Sequence, residues 1–385
     1  QALVSGENQI DILKLSLSYI DFQRLMDKGY CYDLSASETL SAYADSLYPF
    51  IKEGMSKDGK LYAVPVDCYN NVFSYSTALD ELGLPAPATL LDLVQFLQDW
   101  GDNGYYETYS EYQPIDWMGI KSELFNLALS LYQDYCEATK QPLSFSSPLL
   151  RQVLQAVENL DVSDWETKLD WETATDEDWN DFYQRDFLFL DYSSLSPRYY
   201  SKESTVMQPL KLTEDTPLAI GMEVEVFFIN PRSAHPEAAL RYLEAYVESM
   251  DVFEKVKMCP AMNDPIENPQ YESNIKAMEQ RLAEVKAAAE KAEGADKTDA
   301  EEQVKMVEES MTQYAAKARY TATAESIAAY RAWDQYFFLR TANVLSTDDG
   351  DMSSLTQRYL DGQIPLDQFL QEADAKLRLM QLENQ

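Results

Sequence analysis

The sequence predicts an α/β fold of about two domains, and three observations carry that prediction: the length, the alternation of strand-like with helix-like stretches, and the lack of any long apolar run. At 385 residues the chain exceeds the usual size of one hydrophobic core and suits about two. Apolar, partly β-branched runs at residues 10–15, 61–75 and 221–230 are each followed by an amphipathic stretch, the order that lays helices against a sheet. No stretch approaches the roughly 18 uninterrupted apolar residues of a membrane-crossing helix.

The chain opens at Gln1 with residues that read as the tail of a helix and a turn, as expected of a trimmed or processed product. Residues 10–15 (IDILKL) form a buried-strand pattern after the Gly6 turn, and Ser18 or Asp21 can cap a helix carrying Phe22, Leu25 and Met26 to Gly29. Residues 61–66 are extended but broken by Pro65, which fits a strand at a sheet edge or a crossing. Val72, Phe73 and Tyr75 resume the extended pattern. Ser76 or Thr77 can then cap a short helix through Leu79 and Leu82, which Gly83 ends with Pro85 just beyond. Thr89 with Asp92 forms a capping box, Leu90, Leu93, Val94 and Leu97 make one apolar stripe, and Gly101 is expected to stop that helix after Trp100.

Residues 105–112 are polar and rich in tyrosine, and a helix follows with Leu124, Leu127, Ala128 and Leu131 on one face. Residues 149–160 are amphipathic. Residues 161–181 carry Trp165, Trp171 and Trp179 among many acids without a strong period, and residues 182–191 (FYQRDFLFLD) read as an apolar strand. Residues 221–230 alternate acid and apolar positions before turning fully apolar, as in a strand leaving a wet cleft for a sheet. An amphipathic helix follows over residues 237–250, with Ala238, Ala239, Leu243 and Val247 facing inward. Residues 271–320 predict a helical hairpin: Ile275, Met278, Leu282 and Val285 repeat at coiled-coil spacing, and Thr298 with Glu301 can cap a second helix bearing Val304, Val307 and Met311. Residues 324–345 predict one long helix, aromatic on more than one side through Trp333, Tyr336, Phe337 and Phe338.

Composition removes several functions. With 31 Lys and Arg against 66 Asp and Glu the formal charge is −35; such a field repels phosphate backbones and anionic lipid, so no nucleic-acid partner is expected. The single histidine, His235, precedes an amphipathic helix and supports neither a metal site nor a Ser-His-Asp triad. Cys31, Cys68, Cys136 and Cys259 form no CxxC motif and read as isolated buried thiols, and the 12 glycines contain no phosphate-binding loop. No metal, cofactor or catalytic residue is therefore expected. The 26 tyrosines suit surfaces where a ring packs while its hydroxyl stays wet.

Several of these pieces occur in a familiar order. Asp58-Gly59-Lys60, then residues 61–65 (LYAVP), a strand ending at Tyr75, residues 79–87 (LDELGLPAP) and Thr89 opening a helix resemble family 1 extracellular solute-binding proteins, the substrate receptors of ABC importers. Residues 29–34 (GYCYDL), residues 209–218 and the Tyr359 to Phe369 stretch before the last helix are similar to that family as well. The resemblance implies a two-lobed, helix-rich, periplasmic-binding-protein-like II α/β fold with an interlobe cleft, to which the hairpin is an insertion. In those terms residues 1–69 would form lobe 1, with its first strand and helix upstream. Residues 70–222 would form lobe 2, residues 223–320 would return to lobe 1 with the hairpin at 271–320, and residues 321–385 would be C-terminal helices on lobe 2. It further implies a monomer, permease subunits of an ABC transporter as partners, and an extracytoplasmic location, periplasmic or lipid-anchored, with signal and anchor outside this chain.

The ligand positions follow from both arguments. Tyr19 falls just past the first strand, where α/β folds place ligand groups. Asp116 beside Trp117 pairs a carboxylate for hydroxyls with an indole for the C–H face of a sugar, an arrangement that also suits a loop closing over a core. Glu223 lies at the wet end of its strand. The resemblance adds Tyr69 in the hinge strand, Tyr192 at the end of the 182–191 strand, and Trp333 and Tyr336 in the C-terminal helix. Aromatic faces with nearby carboxylates favour an oligosaccharide. Two other classes fit the same residues: a glycoside hydrolase with paired carboxylates, which would form product, and a surface interaction protein, which would show no ligand-dependent stability.

Overall fold

The computed structural model describes residues 9–115, 119–166, 173–198, 205–292, 295–341 and 350–383. It divides into two compact units, one of residues 1–195, 202–250 and 335–385 and the other of residues 196–201 and 251–334. The expected helix tail before residue 9 lies outside the described residues, as do Asp116 and Trp117.

The strands in chain order are β1 (Ile12–Ser16), the short pair β2 (Ser56–Lys57) and β3 (Lys60–Leu61), β4 (Val64–Tyr69), β5 (Asn71–Ser76), β6 (Tyr112–Ile115), β7 (Asp186–Ser194), β8 (Thr205–Met207), β9 (Ile220–Ile229), the short pair β10 (Ile266–Glu267) and β11 (Tyr320–Ala322), and β12 (Phe337–Leu339). The first unit holds two four-stranded sheets. In one, β9 is the spine: β1 and β4 flank it antiparallel, and β12 joins its first residues in parallel. The other runs in the order β6, β7, β5, β8. The chain leaves the first sheet at Tyr69 and enters the second at Asn71, with Asn70 alone between them.

The alternation read over residues 221–230 has a direct structural cause. Val224, Val226 and Phe228 are buried on one face of β9, while Glu223, Glu225 and Phe227 lie on the half-open face. Pro65 sits in β4 beside a register slip, on a strand that among the described residues pairs only with β9; a residue without an amide hydrogen is tolerated there. Asp21 caps the helix Phe22–Asp27 by accepting from the Arg24 amide at 3.0 Å. Gly83 ends the helix Ala78–Leu82 with φ 69°, in the left-handed region that glycine enters freely. The capping box Thr89–Asp92 is present at the start of the helix Leu90–Asp102, whose buried residues include Leu93, Leu97 and Trp100.

These side chains feed a core around the second sheet, where Phe73 and Phe96 pack on Phe189 at 5.4 and 4.8 Å between ring centres. The helices Ile120–Thr139 and Pro148–Asn159 and the last helix, Leu366–Glu383, complete it through Phe125, Leu154 and Phe369. The second unit has a small core of its own, Val256, Ala322 and Ile327. It also carries the expected hairpin, the helices Tyr271–Ala289 and Ala295–Lys317, closed near its base by Tyr271 stacked on Tyr314 and by Asn274 donating to the Tyr314 hydroxyl at 2.8 Å.

Five expectations are corrected, the smallest being Ala238, which is exposed while Ala239, Leu243 and Val247 are buried in the helix Pro236–Ser249. The long helix over residues 324–345 is instead the helix Ala324–Arg331, a 3-10 turn Asp334–Tyr336 and strand β12. An apolar aromatic run fits a pleated surface as well as a buried helix, and the exposed edge of β9 takes it. The strand expected from residue 182 begins at Asp186, because Phe182 belongs to the helix Asp176–Tyr183, which opens with a second capping box, Thr175–Asp178. Acids in that first turn are a helix-start signal rather than patternless charge. Thr298 lies inside its helix, which begins by Ala295. Gly101 does not stop its helix but sits within it, where a β-carbon would meet Trp165 Nε1 at 2.8 Å. All four cysteines are free and buried, as expected.

Candidate functional site

The helix Ile120–Thr139 presents Glu123, Leu127, Ser130 and Asp134 three or four residues apart, so they share one face. Leu124 and Ala128 point into the core, whereas Leu127 and Leu131, expected on the same stripe, are half-buried against a cavity. That cavity has a volume of about 640 Å³ and lies within the first unit. Its walls come from both sheets: Asn71 to Phe73 of β5, Ile220, Gly221 and Glu223 of β9, the helix just described, and Ser353, Thr356 and Gln357 from the helix Gly350–Leu360. A smaller cavity of about 440 Å³, among Phe125, Val157, Tyr359 and Ile364, belongs to the second sheet's helices alone.

Arg340 stands on the floor of the larger cavity. Its amide donates to the Met222 carbonyl at 3.0 Å, continuing the β12 to β9 ladder into the side chain's own position. Its guanidinium then spans the two halves of the wall. Nε and Nη2 donate to the two carboxylate oxygens of Asp134 at 2.9 and 2.5 Å, and Nη1 donates to Glu223 Oε1 at 2.8 Å. Fork-to-fork pairing of this kind is the strong form of an ion pair. Gly221 makes room for it, since a β-carbon there would lie 2.6 Å from Arg340 Nε. Next along the chain, the Thr341 amide and hydroxyl donate to Glu137 at 3.2 and 3.1 Å.

Burial drives the electrostatics. Asp134 is buried, which raises its carboxyl above the ordinary value while Arg340 pulls it back. Burial lowers Arg340, but Asp134 and Glu223 outweigh that, so the guanidinium is held more firmly charged than in water. Burial likewise raises Glu137 against the hydrogen bonds from Thr341 and Gln133. Glu223 keeps 30% of its side chain open, and its second oxygen faces the Ser18 hydroxyl at 3.5 Å. That leaves an acceptor of fixed aim at the cavity floor.

Of the positions expected from sequence, Tyr19 and Glu223 line this cavity together, and Tyr19 is 63% exposed. Tyr69 pairs across the ladder with Glu223, and its hydroxyl reaches Glu225 Oε2 at 3.3 Å, beside Lys14. Hydrogen bonding to Asp67, then burial, raises the Tyr69 phenol. Tyr192 is in β7 at a bulge, where the register slips so that Asp191 and Tyr192 together oppose Phe73. The backbone there runs beside Asn71 and Val72, which line the cavity. Trp333 belongs to the second unit, and Tyr336 lies in the 3-10 turn before β12, half-buried; neither lines the cavity. Asp116 and Trp117 fall outside the described residues.

Arg340, Asp134, Asn71, Asn126 and Gln357 were not anticipated. The one available signal was a polar and acidic face, residues 123, 126, 130 and 134, recurring at helical spacing on a helix read only for its apolar stripe. Nothing local marks Arg340 as their partner.

Residues 8–184 match the family of bacterial extracellular solute-binding proteins. The match covers a little under half of the chain, so it is a likeness of this segment to that family. Solved solute-binding proteins align in fold with nearly all of the chain. The ABC substrate-binding protein Lmo0181 from Listeria monocytogenes, in complex with cycloalternan, covers 99% of this chain and 87% of its own at 14% identity, with a TM-score of 0.56. A chitin oligosaccharide binding protein covers 100% and 86% at 10% identity and a TM-score of 0.56. The solute-binding protein RafE in complex with raffinose covers 97% and 86% at 15% identity and a TM-score of 0.52. At these identities the likeness is one of fold, the two-lobed α/β fold of solute-binding proteins. No curated protein matches the chain in sequence. Among the described residues, no group of acidic, histidine or cysteine side chains is arranged to hold a metal, and no helix is long and apolar enough to cross a membrane.

Proposed function

We propose that this solute-binding protein is an extracytoplasmic receptor that captures an oligosaccharide in the cavity above Arg340 and delivers it to the permease subunits of an ABC importer. The observation that carries the reading is the composition of the cavity wall: side-chain amides, hydroxyls and a half-open carboxylate from both sheets converge on about 640 Å³. That is room for a small solute dense in hydroxyls. Relatives in fold bind cycloalternan, chitin oligosaccharide and raffinose by their names, which supports the same solute class here. Tyr19 would stack on a sugar face and Glu223 would accept from hydroxyls. Contacts drawn from both sheets are best satisfied with the halves shut, so capture would proceed with closure.

The receptor reading expects binding without turnover. Both oxygens of Asp134 are engaged by Arg340, which leaves it a poor general acid or base beside Glu223. The test is a thermal-shift screen of the full chain against oligosaccharides, amino acids, peptides and polyamines, with chromatography of the best hit after incubation. A glycan that raises Tm by several degrees, returns intact, and loses most of its effect in Tyr19→Ala supports the reading. A response confined to amino acids or peptides sinks the carbohydrate assignment, and product formation sinks the receptor assignment.

A further inference from the structure

We propose that the cavity accepts uncharged or amino-substituted polyhydroxy solutes and rejects anionic ones such as uronates and sugar phosphates. This rests on the sugar-receptor reading and adds to it the charge of the solute. Among the described residues lining the cavity, three are carboxylates, Glu123, Asp134 and Glu223, and Arg340 is the one cation.

An arginine in a sugar site would ordinarily invite a carboxylate or phosphate, because its planar fork matches two anionic oxygens. Arg340 already has its charge shared between two carboxylates. The Nε and Nη2 edge is taken by Asp134 at 2.9 and 2.5 Å, and Nη1 is taken by Glu223 at 2.8 Å. Its position is set from behind by the backbone bond to Met222 and by the space that Gly221 leaves. An anion meeting the remaining Nη1 and Nη2 hydrogens would sit beside two carboxylates already paired to the same guanidinium, and their charge opposes it. The cation therefore acts inward, as the counter-ion of the wall, and Glu223 faces the solute with an unneutralised share of negative charge.

The remaining polar side chains on the wall's strands and helices, Asn71, Asn126, Ser130, Ser353, Thr356 and Gln357, are neutral and hydrogen-bond hydroxyls and ammonium groups without preference for an anion. The field of the whole chain acts in the same sense, since a formal charge of −35 slows the approach of anions and raises the local concentration of cations.

The experiment is a thermal-shift and calorimetric series on the full chain with neutral, amino and uronic oligosaccharides of equal length, together with spermidine and citrate as a cation and an anion that are not carbohydrates. The strongest hits are expected to be neutral or amino compounds, with acidic counterparts weaker by about tenfold or more. In Glu223→Gln the ratio of neutral to acidic affinity is expected to fall, whatever the change in absolute affinity. A uronic oligosaccharide or citrate among the strongest hits overturns the inference, and so does an unchanged gap in Glu223→Gln. A response to spermidine with none to any glycan sinks the sugar reading and upholds the charge rule, whereas silence from the whole series overturns both.

Discussion

Arg340 brings together two carboxylates that are remote in sequence, Asp134 at a separation of 206 residues and Glu223 at 117. Removing the guanidinium would leave Asp134 buried and unpaired, and breaking a buried pair from one side costs about 3–5 kcal/mol. Arg340→Met is therefore expected to lower the free energy of unfolding in urea by that order. Arg340→Met combined with Asp134→Leu is expected to recover most of the loss, because no buried charge then remains and Glu223 is open enough to be solvated. Equal losses in the single and double variants would show that the pair is not coupled. At this scale Glu223 and Tyr19 could be named from sequence because each follows from the end of one strand pattern. Arg340 could not, because a basic residue after an apolar run carries no local mark of the acid it will meet.

The helix Leu90–Asp102 shows how a correct element can hide a wrong detail. Its start, stripe and capping box all follow from local rules, whereas Gly101 looks like a stop signal and is in fact a gap for Trp165. Replacing an interior helical glycine with alanine usually gains up to about 1 kcal/mol. Here the new β-carbon would lie 2.8 Å from the indole nitrogen, and overpacking costs about 1–3 kcal/mol. Gly101→Ala is thus expected to lower Tm rather than raise it, as scanning calorimetry would detect; a rise would mean that Trp165 moves aside freely. The same lesson applies to β12. Residues 337–339 are apolar enough for a helix or a strand, and the choice was made by the edge of β9 that they pair with.

For the whole molecule, the cavity-lining residues belong to the first unit, while the hairpin lies in the second and closes on itself through the Tyr271 and Tyr314 rings and the Lys286 to Glu308 ion pair at 2.6 Å. A chain in which residues 276–311 are replaced by a short Gly-Ser linker is expected to keep the solute response of the intact protein, read as an equal thermal shift with the best ligand. Loss of that response would assign the hairpin a part in capture.

What the amino-acid sequence determined by itself was set by local and periodic physics: alternating α and β elements, the caps at Asp21 and Thr89, the hairpin, the buried thiols, and the charge that argues against nucleic acid. Its order of motifs also pointed to the solute-binding family. Only the tertiary structure decided that residues 337–339 form a strand, that Gly101 serves Trp165, and that Arg340 joins Asp134 to Glu223 on the cavity floor. Those outcomes depend on which surfaces meet, and contacts between residues a hundred or more positions apart leave no period or spacing in the chain to be read.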